Sequence, residues 1–187
     1  MPDLLRNIDT DLFLYLNGMH CAFCDTVMPY LTNFWVWIPL FAWWLYKVYK
    51  KYGQKTIYVV LFVVALIFAS DQGSNLIKKS VKRYRPTHNT EISSKVHTVN
   101  DYKGGQYGFV SSHAANSFAI GIFVFLLLRP AGRLLNSSLI FYAGTVCFSR
   151  IYLGVHYPLD ILGGALLGTI LALIFGTIFK KYFTTQQ

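Results

Sequence analysis

The chain is poor in charged residues. Only 13% of its 187 residues are Asp, Glu, Lys or Arg, while 54% are hydrophobic. A soluble domain of this length would carry roughly 25% charged residues. The few charges fall between long uncharged stretches, a pattern typical of a protein embedded in a bilayer. The shortage of charge therefore argues against a water-soluble globular fold.

Acidic residues are scarcer than basic ones, and the formal net charge is +9. Nucleic-acid-binding proteins carry their basic residues on a solvated face, interleaved with polar and aromatic residues. Here the basic residues occupy short gaps between apolar stretches, so we expect no nucleic-acid partner. A negatively charged lipid or phosphate group fits the same excess better.

Cysteine is also scarce, because three residues are too few for a disulfide framework. Cys147 lies inside an apolar stretch and is expected to pack in the core. Cys21 and Cys24 form a C-x-x-C pair, but without a second pair a metal site is not expected there. Two interpretations stay open: a chance spacing, or a disulfide if this end faces an oxidising compartment.

Five apolar stretches approach the roughly 20 residues that a helix needs to cross a bilayer. They cover residues 26–46, 56–77, 113–128, 134–149 and 161–179. Asp71 is the charged residue inside them, and we expect it to pair with a neighbouring span or with a basic residue of the site. Residues 3–20 mix apolar and charged side chains at helical spacing, which predicts an amphipathic helix on the membrane surface.

We therefore predict an all-α fold, a polytopic transmembrane bundle of about five spans plus an N-terminal interfacial helix. It forms one domain over residues 1–187. Alternating spans place the N-terminus and the loops 78–112 and 150–160 on the same side. The 17 basic residues divide almost equally between the two sides, so the positive-inside rule does not settle the orientation. Gly164 and Gly168 are expected to allow close packing of the last span.

Side chains suited to phosphoryl transfer collect on the side that holds these two loops. They are Lys78, Arg85, Ser111, Ser112, His113, Arg150, His156 and Asp160. Cations and the free N–H groups of a helix N-terminus stabilise the negative charge of the transition state. A histidine held by a carboxylate serves as a nucleophile, and a second histidine protonates the departing alkoxide. Each group alone has a structural explanation, such as a helix cap or a snorkelling cation, so the combination carries the prediction.

Three segments between residues 78 and 160 resemble the signature of the type 2 phosphatidic acid phosphatase superfamily, which also contains vanadium haloperoxidases. The first motif, a Lys, six residues and Arg-Pro, is matched by Lys78, Arg85 and Pro86. The third motif, Ser-Arg, five residues, His, three residues and Asp, is matched by Ser149, Arg150, His156 and Asp160. The second motif, Pro-Ser-Gly-His, becomes Val110-Ser111-Ser112-His113, so the hydroxyl of Ser112 replaces or crowds the glycine backbone.

The resemblance implies a role for each matched residue. His156 attacks phosphorus and forms a phosphohistidine, Asp160 orients it, and His113 is the general acid. The phosphate oxygens are held by Lys78, Arg85, Ser111, Ser112 and Arg150. The resemblance also implies that no metal or cofactor is needed.

The substrate implied by the resemblance is a membrane lipid phosphate or pyrophosphate. In small bacterial members it is undecaprenyl pyrophosphate, phosphatidylglycerol phosphate, phosphatidic acid or lipid A, reached from the periplasmic or outer side of the inner membrane. Two other functions stay open. A vanadate-dependent haloperoxidase would oxidise halide, and a phospholipid-binding or transport protein would release no phosphate. The oligomeric state is not predicted.

Overall fold

The computed structural model describes residues 3–183, and within that range every regular element is helical. Short 3-10 helices cover Phe34–Trp37, Gly53–Lys55, Pro86–His88 and Ser93–Lys95. The seven α-helices are α1 (Asp3–Asn17), α2 (Ala22–Leu31), α3 (Ile38–Tyr52), α4 (Thr56–Val81), α5 (Ser112–Leu128), α6 (Arg133–Tyr152) and α7 (Pro158–Phe183). The predicted all-α fold is confirmed.

Three segments are long and apolar enough to cross a membrane. They are Phe34–Val81, which contains α3 and α4, and the helices α6 and α7. The helix α5 is also apolar but shorter, with 17 residues. These helices agree with a polytopic membrane bundle, and the number of five spans stays a prediction.

The first predicted span, residues 26–46, is not one continuous helix. α2 ends at Leu31 and α3 begins at Ile38, with a 3-10 helix between them. The side chain of Asn33 accepts a hydrogen bond from the backbone N–H of Trp35 at 3.1 Å, which caps a new helical segment. Pro39 has no N–H to donate to the preceding turn. The apolar composition predicted helical structure in residues 26–46 correctly, but the cap at Asn33 and the proline at position 39 divide this stretch into α2 and α3.

The N-terminal helix α1 presents apolar side chains outwards, as expected for a helix at a membrane surface. Leu4 and Ile8 are 71% and 53% exposed, respectively. The opposite face is buried and carries Phe13 together with two polar residues, Asp9 and Asn17. Polar groups are costly to bury unless they form hydrogen bonds, so these two indicate specific partners inside the protein.

The closest packing in the bundle joins α5 to α7. A Cβ atom added at Gly164 would meet the carbonyl oxygen of Ser111, and one added at Gly168 would meet that of Ala115. In lipid, helices associate through close van der Waals packing rather than through the hydrophobic effect. The predicted role of both glycines is confirmed, and their packing brings the N-terminus of α5 against the first turn of α7.

The two cysteines of the C-x-x-C pair form a disulfide between Cys21 and Cys24 at the start of α2. The backbone N–H of Cys21 donates a hydrogen bond to the phenol oxygen of Tyr152, at the end of α6, at 3.2 Å. The disulfide interpretation of the sequence therefore holds. Cys147 is free and buried in α6, as predicted.

Candidate active site

Six of the eight predicted site residues line one cavity of about 430 Å³. It opens where α4 ends, α5 begins and α6 ends. The predicted residues in its wall are Lys78, Arg85, Ser112, His113, Arg150 and His156. The loop between α4 and α5 contributes Tyr102, Gly105, Gln106 and Tyr107, and so it covers part of the cavity.

Ser111 and Asp160 do not line the cavity and are fully buried behind it. The hydroxyl of Ser111 caps α5 by accepting a hydrogen bond from the backbone N–H of Ala114 at 3.4 Å. Its own backbone N–H donates to the carbonyl oxygen of Asp160 at 2.9 Å. Ser111 thus fixes the N-terminus of α5, whose first N–H groups are suited to bind an anion. Direct phosphate binding by its hydroxyl stays a prediction.

His156 lies in the short connection before α7 and faces Asp160 from one side. Its Nδ1 atom is 3.4 Å from Oδ2 of Asp160. The same Oδ2 accepts a hydrogen bond from the backbone N–H of Tyr157 at 3.0 Å. Pro158 begins α7, where a missing N–H is tolerated, and this start places Asp160 in the first turn. The carboxylate therefore lies behind the imidazole, opposite the cavity.

The surroundings of His156 favour its neutral form. Burial lowers its pKa well below the usual 6.5, and the positive charges of Arg85, Arg150 and Lys78 lower it further. A hydrogen bond with the Gly108 backbone acts in the opposite direction but is outweighed. A neutral imidazole has a free electron pair, which a nucleophile requires.

Arg85 is held by the loop that covers the cavity. Its Nε donates to the carbonyl oxygen of Tyr107 at 3.1 Å, and its backbone N–H donates to that of Gln106 at 3.1 Å. A Cβ atom at Gly104, whose φ is +66°, would collide with the guanidinium of Arg85. The loop therefore needs glycine there for both its backbone conformation and the space that Arg85 occupies.

Arg150 is 2% exposed and is fixed by two hydroxyl groups from different segments. Its Nη1 donates to Oγ1 of Thr32 at 2.7 Å, and its Nη2 donates to the phenol of Tyr102 at 3.3 Å. Its buried Nε has no hydrogen-bond partner among residues 3–183. Thr32 and Tyr102 were missed by sequence reasoning because neither belongs to a spaced motif.

The serine that replaces the family's glycine engages the predicted phosphate-binding lysine. Lys78 donates a hydrogen bond from Nζ to Oγ of Ser112, and Ser74 bonds to the same oxygen at 2.7 Å. One turn earlier, Asp71 accepts from Nδ2 of Asn116 at 2.9 Å. The predicted pairing of Asp71 with a neighbouring helix is confirmed. A ladder of polar contacts therefore joins α4 to α5 below the cavity.

Arg83 is the most important residue that sequence reasoning did not single out. It donates to Oδ1 of Asp160 at 2.9 Å and to Oδ2 of Asp9 at 2.6 Å. Asp9 also accepts from the backbone N–H of Leu159 at 2.9 Å. Burial raises the pKa of Asp9, while these hydrogen bonds from Arg83 and Leu159 work against the shift. The available sequence signal for Arg83 was its position in the basic run Lys82-Arg83-Tyr84-Arg85, next to a predicted site residue.

Comparison with known proteins agrees with this geometry. Residues 56–183 match the family model of the PAP2 superfamily. The lipid A 4'-phosphatase of Bacteroides thetaiotaomicron is 37% identical over 171 residues, which cover 90% of this chain and 75% of that protein. The lipid A 4'-phosphatase of Porphyromonas gingivalis is 29% identical over 170 residues, covering 90% and 71%.

A solved structure shares the fold as well. The crystal structure of LpxE from Aquifex aeolicus aligns with a TM-score of 0.67 and 25% sequence identity. The alignment covers 89% of this chain and 93% of that one. Most of the chain therefore follows the fold of that protein.

Proposed function

The chain belongs to the PAP2 superfamily and is a membrane lipid phosphatase, and from this premise we propose that it hydrolyses a phosphate monoester of a lipid A-type glycolipid through His156. The observation that supports the proposal best is the cavity in which His156 and His113 lie with four cationic side chains, those of Lys78, Lys79, Arg85 and Arg150. The two relatives named lipid A 4'-phosphatase, each matched over 90% of this chain, support the substrate class.

In the proposed first step, a nitrogen of His156 attacks phosphorus and the bond from phosphorus to the lipid oxygen breaks. His113 donates a proton to the departing alkoxide, and a phosphohistidine remains. Water, deprotonated by His113, then attacks phosphorus, the phosphorus–nitrogen bond breaks, and inorganic phosphate is released. Asp160 stabilises the positive imidazole that arises in the first step.

The cationic side chains stabilise the charge that builds on the phosphate oxygens. Lys78 and Arg85 reach the cavity from the α4 side, and Arg150 reaches it from the end of α6. The unpartnered Nε of Arg150 is a donor suited to one of these oxygens. Ser112 and the first N–H groups of α5 complete the proposed cradle. The mechanism assigns no step to a metal or cofactor.

The experiment is phosphate release by the detergent-purified protein in the presence of EDTA. The lipids are lipid A, undecaprenyl pyrophosphate, phosphatidylglycerol phosphate and phosphatidic acid. Wild type is compared with His156→Gln, and His88→Gln in the covering loop is the matched control. We expect release from lipid A by wild type and by His88→Gln, and loss of at least about a thousandfold for His156→Gln.

Each other outcome contradicts a defined part of the proposal. Preference for undecaprenyl pyrophosphate would overturn the substrate class and leave the phosphatase in place. Full activity of a folded His156→Gln variant would overturn the nucleophile. Binding of lipid without phosphate release would favour a non-catalytic lipid-binding protein, and halide oxidation with vanadate would favour a haloperoxidase. A base-stable, acid-labile phosphoenzyme in rapid-quench samples would support the phosphohistidine.

We also propose that the active site of this integral membrane protein faces the periplasm or the outside of a bacterial inner membrane. The disulfide between Cys21 and Cys24 lies at the same end of the bundle as the cavity, and disulfides persist in oxidising compartments. The test is labelling of intact cells with a membrane-impermeant maleimide. Lys103→Cys should react and Gln54→Cys, at the opposite end, should not; the reverse pattern would overturn the orientation.

A further inference from the structure

A second cluster of possible ligand groups lies outside the active-site cavity at the same end of the bundle. His20 follows α1, Asp25 lies in α2, and His97 lies in the loop before α5. One ligand atom from each lies within 4.8 Å of the other two. Nε2 of His97 is 2.7 Å from Oδ1 of Asp25, and the rings of His20 and His97 stack with centroids 3.9 Å apart.

The backbone around this cluster is firmly held. The side chain of Asn17, which is 1% exposed, accepts from the N–H of His97 at 2.8 Å and donates to its carbonyl oxygen at 3.1 Å. The same amide donates to the carbonyl oxygen of Tyr152 at 2.8 Å. The disulfide of Cys21 with Cys24 constrains the segment between His20 and Asp25. Three separate segments thus present their ligand groups from fixed positions.

We propose that His20, Asp25 and His97 bind one divalent transition-metal ion of the Zn²⁺ class, with water in the remaining position. Two imidazole nitrogens and a carboxylate oxygen suit zinc, whereas magnesium and calcium prefer oxygen ligands throughout. The phenol of Tyr152 donates to Oδ1 of Asp25 at 2.5 Å and supplies the outer hydrogen bond that commonly orients a metal ligand.

Binding requires only small adjustments. Two ligand atoms at about 2.0 Å from a tetrahedral ion are about 3.3 Å apart. Nε2 of His97 and Oδ1 of Asp25, now 2.7 Å apart, therefore separate by roughly 0.6 Å. His20 is exposed, and its ring can turn out of the stack to aim a nitrogen at the ion. Ion binding at Nε2 of His97 requires that this nitrogen carry no proton.

The ion has a structural role, because none of its three ligands lines the active-site cavity. It joins the α1–α2 connection to the loop that covers the active site. α2 begins beside the ion, and Thr32 directly after its last residue receives a hydrogen bond from Arg150. Occupancy should therefore stabilise the protein against unfolding while phosphate release continues in EDTA. The inference does not depend on the identity of the lipid substrate.

The test is metal binding by the full-length protein, purified through a tag without histidine and stripped with EDTA before dialysis. Zn²⁺ is titrated by calorimetry, and Co²⁺ is titrated through its visible absorption. We expect one equivalent per chain and a weakening of about tenfold or more in His20→Ala and in His97→Gln. His88→Ala, a histidine outside the cluster, is the matched control and should bind like wild type.

Thermal unfolding checks that the variants are folded, and His20→Ala is the safest of them because its side chain is exposed. Tyr152→Phe removes the outer hydrogen bond and should weaken binding by less than the loss of a ligand. The proposal is overturned if wild type shows no saturable uptake at micromolar Zn²⁺. It is equally overturned if His20→Ala and His88→Ala bind with the same affinity.

Discussion

Arg83 and Asp160 form a buried ion pair, with Nη1 of Arg83 2.9 Å from Oδ1 of Asp160. The second oxygen of Asp160 faces His156, so the carboxylate lies between the arginine and the imidazole. The guanidinium also packs over the ring of Tyr157, with its carbon 4.0 Å from the ring centroid. Arg83 therefore sets both the position and the charge environment of the group that orients the proposed nucleophile.

Replacement of Arg83 by Gln should destabilise the protein and lower kcat more than it raises KM. Removing one partner of a buried ion pair costs about 3–5 kcal/mol, because Asp160 and Asp9 lose their compensating charge. Unfolding in detergent and steady-state kinetics measure the two effects. Arg6→Gln is the control, since the pair of Arg6 with Glu91 is exposed and contributes about 0–1 kcal/mol.

A double-mutant cycle with Asp9 tests whether the arginine works through its carboxylate partners. Asp9→Asn relieves one of the two carboxylates that Arg83→Gln leaves unpaired, so the double variant should lose less stability than the two single losses combined. Strict additivity would show that Arg83 acts by packing alone. A change in KM without a change in kcat would contradict a role in orienting His156.

Ser112→Ala should lower kcat/KM by about tenfold to a hundredfold. The hydroxyl accepts a hydrogen bond from Lys78, and a hydrogen bond to a charged group contributes about 1.5–3 kcal/mol. Ser74→Ala, which removes only a neutral partner of the same hydroxyl, should change kcat/KM by a few fold. Equal losses in both variants would show that Ser112 does not position Lys78.

Gly164→Ala should destabilise the protein by about 1–3 kcal/mol and reduce activity with it. The added methyl group would meet the carbonyl oxygen of Ser111 and force α7 away from the N-terminus of α5. Gly144→Ala is the matched control, because nothing lies within 4 Å of a Cβ atom at that position. Unfolding temperature and phosphate release are measured for both variants. Equal effects of Gly164→Ala and Gly144→Ala would contradict the packing argument.

The low pKa of His156 predicts how stability depends on pH. In the unfolded chain this histidine takes up a proton as the pH falls through about 6.5, while in the folded protein it stays neutral. The unfolded state therefore binds more protons, and folding stability decreases as the pH falls from 7 to 5. His156→Gln should flatten this slope. His88→Gln should leave it as in wild type, and an unchanged slope in His156→Gln would refute the assignment.

The pH dependence of kcat/KM should also reflect the lowered pKa of His156. The acid limb of kcat/KM reports the free enzyme, so loss of activity through protonation of His156 should occur well below the ordinary histidine pKa of about 6.5. Rate measurements across pH 4 to 8 in EDTA, with the substrate concentration far below KM, check this. Ionisation of the substrate phosphate can itself produce an acid limb near about 6.5, so the rates are corrected for it. An acid limb at or above about pH 6.5 that persists after this correction would contradict a neutral His156 nucleophile.

The sequence predicted the parts of the fold and the site that depend on local pattern. Apolar runs located the helices α4 to α7, and motif spacing selected six residues that share one cavity. It did not predict that α2 and α3 are separate, because a hydrogen bond of Asn33 decides that break. Nor did it predict Asp9, whose contact with Leu159 joins residues 150 positions apart. Such a contact follows from the packed structure and leaves no periodic pattern.

The bond from Leu159 to Asp9 has a consequence for biogenesis. Asp9 belongs to α1 and Leu159 to α7, so α1 emerges from the ribosome well before its partner. The environment of Asp160 is therefore complete only after α7 has entered the membrane and packed against α1. A chain that still lacks α7 would hold most basic residues of the proposed site without the carboxylate environment around His156, so we expect it to hydrolyse no lipid.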